Sequence, residues 1–147
     1  MSMYHIMYVS KATVPLDENK LKSMLSYYRK NTSYYNITGL LLYGKERYIQ
    51  EIEGEKENVH KLFDKITKDY HHQNIIKLAD GEIKDRLFSE WYMGFATTSK
   101  EEFSHYQNYV DPTEDAFFGF LPEKDEESVV TVLKHFVTHN ILNTDLI

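Results

Sequence analysis

Cysteine is missing from all 147 residues. That excludes disulfides, thiolate catalysis, and cysteine-bound zinc or iron–sulfur centres. Proline occurs only three times and glycine six, so the chain has few breakers between ordered elements. Positive charge is in deficit: 17 Lys and Arg stand against 23 Asp and Glu, a net charge of −6. No run of Lys and Arg among aromatics marks a nucleic-acid groove, and the acidic balance opposes phosphate-backbone binding. No apolar run reaches membrane-spanning length. The opening "MSMYHIMYVSKA" is too short and too polar for a secretory signal. A cytoplasmic protein with no nucleic-acid or membrane partner is the expectation. The two sequons, at Asn31 and Asn36, are then chance matches.

What is present is enough for a core: 41% hydrophobic residues, with 14% aromatic. "YHIMYVS" (4–10) alternates Tyr4, Ile6, Tyr8 and Ser10 against His5, Met7 and Val9. It reads as a strand, and its largely apolar faces predict a central one. Pro15 and Asp17 announce a helix, with Leu21, Met24, Leu25 and Tyr28 at helical spacing and an end near Asn31. "ITGLLLYG" and "RYIQEIEG" are two strands, joined so tightly at Gly44-Lys45 that they predict an antiparallel hairpin. Val59, Leu62, Phe63 and Ile66 mark a second helix. "NIIKLADGEI" suggests a fourth strand interrupted at Asp80-Gly81, and "FSEWYMGFAT" a fifth. The order β-α-β-β-α-β plus one strand predicts an α+β, ferredoxin-like fold: an antiparallel sheet with two helices on one face. Residues 1–98 form this domain. Residues 99–147 are a C-terminal helical extension, with Val129, Val132, Leu133, Phe136 and Val137 on one apolar side.

Generic chemistry finds little. His71 and His72 are adjacent and point apart, a poor metal site. Glu51 and Glu53 share a strand face with Arg47 and Ile49, and read as a solvated edge rather than an acid/base pair. No phosphate-cradling glycine loop and no nucleophile elbow occurs. An enzyme is not expected. The opposite face of that strand carries Tyr48, Gln50 and Ile52 and should be buried. A buried amide has one acceptor and two donors to satisfy. With Tyr8, Trp91 and Met93 it forms an inward-pointing set. Core packing explains Trp91 and Met93, but a buried phenol and amide need partners.

These residues resemble the BLUF family, blue-light sensors that use flavin. The resemblance covers about residues 1–98. It rests on "YVS" with Tyr8, "NITGLLLY" (36–43), "YIQEIEG" with Gln50, "KDYHH" with Asp69 and His72, and "RLFSEWYMGF" with Arg86, Phe88, Trp91 and Met93. It implies a flavin, FAD or FMN, held between the two helices against the sheet. Met24, Tyr28, Asn31, Thr32, Lys65, Asp69 and His72 would be the cofactor-binding residues. Tyr8, Gln50, Trp91 and Met93 would be the photoactive switch. The tyrosine gives up an electron and a proton, and the glutamine amide rearranges its bond to the flavin C4 carbonyl. The fifth strand passes the change outward.

The sequence departs from the family on one helix wall. Thr32 stands where asparagine is usual, and Tyr28 where a smaller residue is usual. Lys65 and His71 replace arginines. These departures open an alternative: a BLUF-like scaffold with weakened or lost flavin binding, acting as a protein-interaction module. With no effector domain in 99–147, output through self-association or a downstream protein partner is expected.

Overall fold

A computed structural model describes residues 3–13, 18–69, 72–86, 88, 92–97, 132–133 and 135–136. Its elements are β1 (Met3–Ala12), α1 (Glu18–Tyr34), β2 (Thr38–Gly44), β3 (Arg47–Glu55), α2 (Lys56–Thr67), β4 (His72–Glu82) and β5 (Tyr92–Thr97). The five strands form one sheet in the order β4-β1-β3-β2-β5. This is the expected ferredoxin-like plan with an added strand. β1 is an interior strand, antiparallel to both β3 and β4, and β3 lies in the middle of the sheet. The added strand corrects one expectation: β5 runs parallel to β2, so the sheet is mixed at that edge. A strand reached by a long connection, here the whole stretch from β3 through β4, is free to enter in either sense.

One face of the sheet carries the main core. Tyr4, Ile6, Tyr8 and Ala12 from β1, Leu41 from β2, and Tyr48 and Ile52 from β3 pack with Met24 of α1 and Val59, Leu62 and Ile66 of α2. The strand residues follow the period of two and the α2 residues the period of 3.6, so both helices cover the same face. The β2–β3 turn has Lys45 and Glu46 both at positive φ, 51° and 62°. That is the two-residue turn whose twist matches paired strands. The Glu46 carbonyl accepts a bond from the Ala12 amide at 2.8 Å.

α1 runs three residues past its expected end. Asn36 adopts φ 53°. The Ile37 amide donates to the Thr32 carbonyl at 2.8 Å, and the Asn36 amide to the Ser33 carbonyl at 3.2 Å. These two bonds make a Schellman cap with Asn36 in the left-handed position, so the run "NTSY" (31–34) is helix rather than loop and Tyr35 lies in the turn after it. β4 is continuous through Asp80-Gly81, contrary to the expected break. Its irregularities lie further back: Met7 pairs with Ala79 and Tyr8 with Lys77, leaving Leu78 as an extra residue beside Tyr8.

The second face of the sheet departs most from expectation. Ile49, Glu51 and Glu53 are buried with no measurable exposure. Alternation had grouped them correctly, but charge had placed them in water. Met7, Leu40 and Leu42 share their burial, so this face too is covered. Phe88, Leu133 and Phe136 are buried as well, while His135 is exposed. Most of the expected C-terminal helical extension lies outside the described residues. Asp17 and His71, and residues 99–131, lie outside the described residues.

Candidate functional site

Tyr8 and Gln50 face each other across β1 and β3, and Leu41 of β2 flanks Gln50 on the other side. Both side chains are buried, and the Tyr8 hydroxyl donates to Gln50 Oε1. That bond sets the amide: Oε1 points to Tyr8, so Nε2 with its two N–H groups points away from it. Burial, then the nearby charges of Asp69 and Tyr48, push the Tyr8 phenol well above its ordinary range. Tyr8 is therefore a neutral donor.

The surroundings are aromatic and polar by turns. Phe63 lies edge-on to Tyr8 with ring centres 5.8 Å apart, and His72 is 5.7 Å away. His72 is held from both ring nitrogens, by the Ile66 carbonyl at 2.8 Å and by Ser10 Oγ at 2.7 Å. A carbonyl only accepts, so Nε2 carries the proton. In the neutral ring Nδ1 then accepts from the Ser10 hydroxyl. Tyr48 completes the group, 5.9 Å from His72 and 4.9 Å from Tyr43. Its hydroxyl is shut off from solvent and has no hydrogen-bond partner among the described residues.

α1 supplies the residues expected to form a helix wall. Met24 and Thr32 are buried. Thr32 Oγ1 donates back to the Arg29 carbonyl at 3.1 Å. Asn31 Nδ2 donates to the Tyr27 carbonyl at 2.9 Å, and its Oδ1 accepts from Lys65 Nζ of α2 at 3.3 Å. Lys65 thus bridges the helices, with its ammonium 5.4 Å from the Tyr35 ring centre. Asp69 follows α2, half-buried. Tyr8, Gln50 and His72 come together, as do Asn31 and Lys65. The side chains of Tyr28 and Met93, and Trp91 entirely, lie outside the described residues. The backbone of Met93 is in β5, beside β2.

Behind the sheet, Glu53 and Arg86 tie β3 to the segment leading into β5. Glu53 Oε1 accepts from the Phe88 amide at 2.7 Å. Arg86 donates to Thr38 Oγ1 and the Asn36 carbonyl, both at 2.9 Å. Next to them His5 Nδ1 lies 3.0 Å from Glu51 Oε2. Burial lowers the His5 pKa, and burial with the adjacent Glu53 raises that of Glu51 well above the carboxylate range. Both shifts favour the neutral forms of the two groups. Among the described residues no cluster of His, Asp and Glu could hold a metal.

Residues 3–94 match the family model described as BLUF, sensors of blue-light using FAD. The chain belongs to the BLUF family. Over 94 residues it is 32% identical to the photoactivated adenylate cyclase subunit beta of Euglena longa, covering 63% of this chain but 11% of the cyclase subunit. Its fold is similar to the dark-state structure of BlrB, a BLUF protein, at TM-score 0.64 and 25% identity over 67% of this chain and 75% of that one. It is also similar to the photo-activated state of BlsA, at TM-score 0.62 and 26% identity over 81% of this chain and 91% of that one. BLUF domains are sensory modules and not catalytic ones, and in this chain Tyr8 and Gln50 form a buried tyrosine–glutamine hydrogen-bonded pair. Tyr48 and Ser10, which join this buried group through His72, were not among the residues singled out from sequence. Both lie on the Tyr8–Gln50 face by simple alternation, which was the available signal. The Glu53–Phe88 tie had no such signal.

Proposed function

We propose that this BLUF domain is a blue-light photoreceptor that holds FAD or FMN between α1 and α2, with Tyr8 and Gln50 as its switch. The observation that carries the reading is the buried bond from Tyr8 to Gln50 Oε1. It leaves the amide donors directed elsewhere on a face lined by α1 and α2. The donor set fits a flavin: a phenol and an amide already paired, a second buried phenol in Tyr48, and Lys65 with Asn31 between the helices. Met24, Tyr28, Thr32, Asp69 and His72 complete the proposed lining.

A bound flavin would supply blue-light absorption and accept an electron. Tyr8 is the donor, and its hydroxyl proton has a direct path to Gln50 Oε1. The amide answers by exchanging which end faces Tyr8, since rotation or tautomerisation swaps donor for acceptor. Exclusion of water keeps these bonds strong and stops solvent from substituting for either partner. Trp91 and Met93 would relay the change along β5. The output is self-association or a partner protein, with residues 99–147 as the extension that carries it. The resemblance to cyclase subunits supports a protein partner.

A second reading, a scaffold with weakened flavin binding, draws on α1. Thr32 spends its hydroxyl on Arg29, and Asn31 spends its amide on Tyr27. Tyr8, Gln50, Met24 and Thr32 are all closed to solvent. The test is reconstitution of the purified chain with FMN and with FAD. A yellow, stoichiometric complex is expected, and Thr32→Asn should tighten it several-fold by restoring an amide. A chain that stays colourless with both flavins sinks the photoreceptor reading and leaves the scaffold.

A further inference from the structure

Tyr48 is buried to 2% exposure on the same face as Gln50, two residues before it on β3. Its ring is fixed from two sides, by Tyr43 of β2 and His72 of β4. Its hydroxyl finds no hydrogen-bond partner among the described residues. The neighbouring polar groups have theirs: Tyr8 on Gln50, and His72 on both Ser10 and Ile66. A buried hydroxyl left unsatisfied is a cost that native interiors rarely carry without a reason. Phenylalanine would fill the same space without it. Burial also raises the Tyr48 pKa, with Tyr43 and Asp69 adding to the effect. The group therefore remains a donor, and what it lacks is an acceptor.

We propose that Tyr48 is a flavin-binding residue, its hydroxyl donating to an acceptor atom of the flavin beside the Tyr8–Gln50 pair. A flavin offers such acceptors densely, in its ring carbonyls and nitrogens, ribityl hydroxyls and phosphate. Tyr48 then offsets on the β3 side part of what Thr32 gives up on the α1 side. The proposal rests on the flavin reading, and a paired binding and stability measurement separates the two.

The 147-residue wild type and Tyr48→Phe are prepared flavin-free and titrated with FMN and FAD, monitored by quenching of flavin fluorescence. The thermal midpoint of each flavin-free protein is measured in parallel. Losing one buried hydrogen bond should weaken flavin binding by about tenfold. Removing an unsatisfied hydroxyl should raise the flavin-free midpoint by roughly a few degrees. Weaker binding in a more stable protein identifies a lost contact, because damage to the fold would lower both. Equal affinity in the two proteins overturns the assignment of Tyr48 while the photoreceptor reading stands. Weaker binding with a lowered midpoint also overturns it, because the hydroxyl would then support the fold. A wild type that binds neither flavin overturns both.

Discussion

The proposed light switch asks little of its residues: one oxidisable phenol in Tyr8, one amide with unlike ends in Gln50, and a direct bond between them. Their burial fixes which end of the amide each neighbour meets, and the raised Tyr8 pKa keeps the phenol protonated. On the reverse side of the same strand, the next residue does something quite different. Glu51 is buried against His5 and beside Glu53. Its folded pKa is raised above the ordinary 4.5, so above that pH the folded state holds a proton that the unfolded chain has released. Stability therefore falls as pH rises from about 4.5 toward the folded value. His5 acts on the other flank. Its folded pKa is lowered from 6.5, so stability falls as pH drops below that value. Glu51→Gln keeps a neutral hydrogen-bonding group without the titration. It should stabilise the protein above pH 4.5 and flatten the part of the pH dependence that Glu51 contributes there, read from urea unfolding at a series of pH values. A variant as pH-dependent as wild type would show that Glu51 is ionised in the fold.

At the scale of elements, β3 is the two-faced strand around which the molecule is built. It offers Tyr48, Gln50 and Ile52 to the helices, and Ile49, Glu51 and Glu53 to the reverse face. β2 lies against it so closely at Gly39 that an added Cβ would sit 1.9 Å from the Glu51 carbonyl oxygen. That oxygen belongs to the backbone and cannot swing aside. Gly39→Ala should cost about 3 kcal/mol and shift the urea midpoint down accordingly, because the strand must move to make room. An unchanged midpoint would mean that β2 and β3 are less tightly apposed at this point. Strand alternation and helical spacing made β1, the β2–β3 hairpin and α2 legible from sequence. The end of α1 was less so, because the Schellman turn at Asn36 carries the helix through residues whose polarity suggests a loop. Alternation also grouped Glu51 with Glu53, but it tells only which residues share a face. Whether that face is wet depends on what covers it, and no local pattern encodes that.

At the scale of the whole molecule, the Tyr8–Gln50 pair was legible because residues 42 apart in sequence kept a shared alternation and a familiar spacing. The Glu53–Phe88 and Arg86–Asn36 ties were not, since they join β3 and the turn after α1 to the approach to β5 through backbone groups that sequence does not single out. These ties matter for output. In the proposed photoreceptor, a change at Gln50 would act on a strand whose reverse face is tied to the segment entering β5. No helix among the described residues is long and apolar enough to cross a membrane. The matched stretch is 11% of the Euglena longa cyclase subunit. The two chains are therefore alike in a sensor domain alone, and the activity of that protein does not transfer with it.

The central claim is that light is read by the Tyr8–Gln50 pair. The direct test is the absorption spectrum of the flavin-loaded chain, dark and after blue light, beside the same spectra for Gln50→Leu. A red-shifted flavin band that appears on illumination, relaxes in the dark, and is absent in Gln50→Leu is the predicted result. An unshifted band in wild type, or an equal shift in Gln50→Leu, would contradict the account.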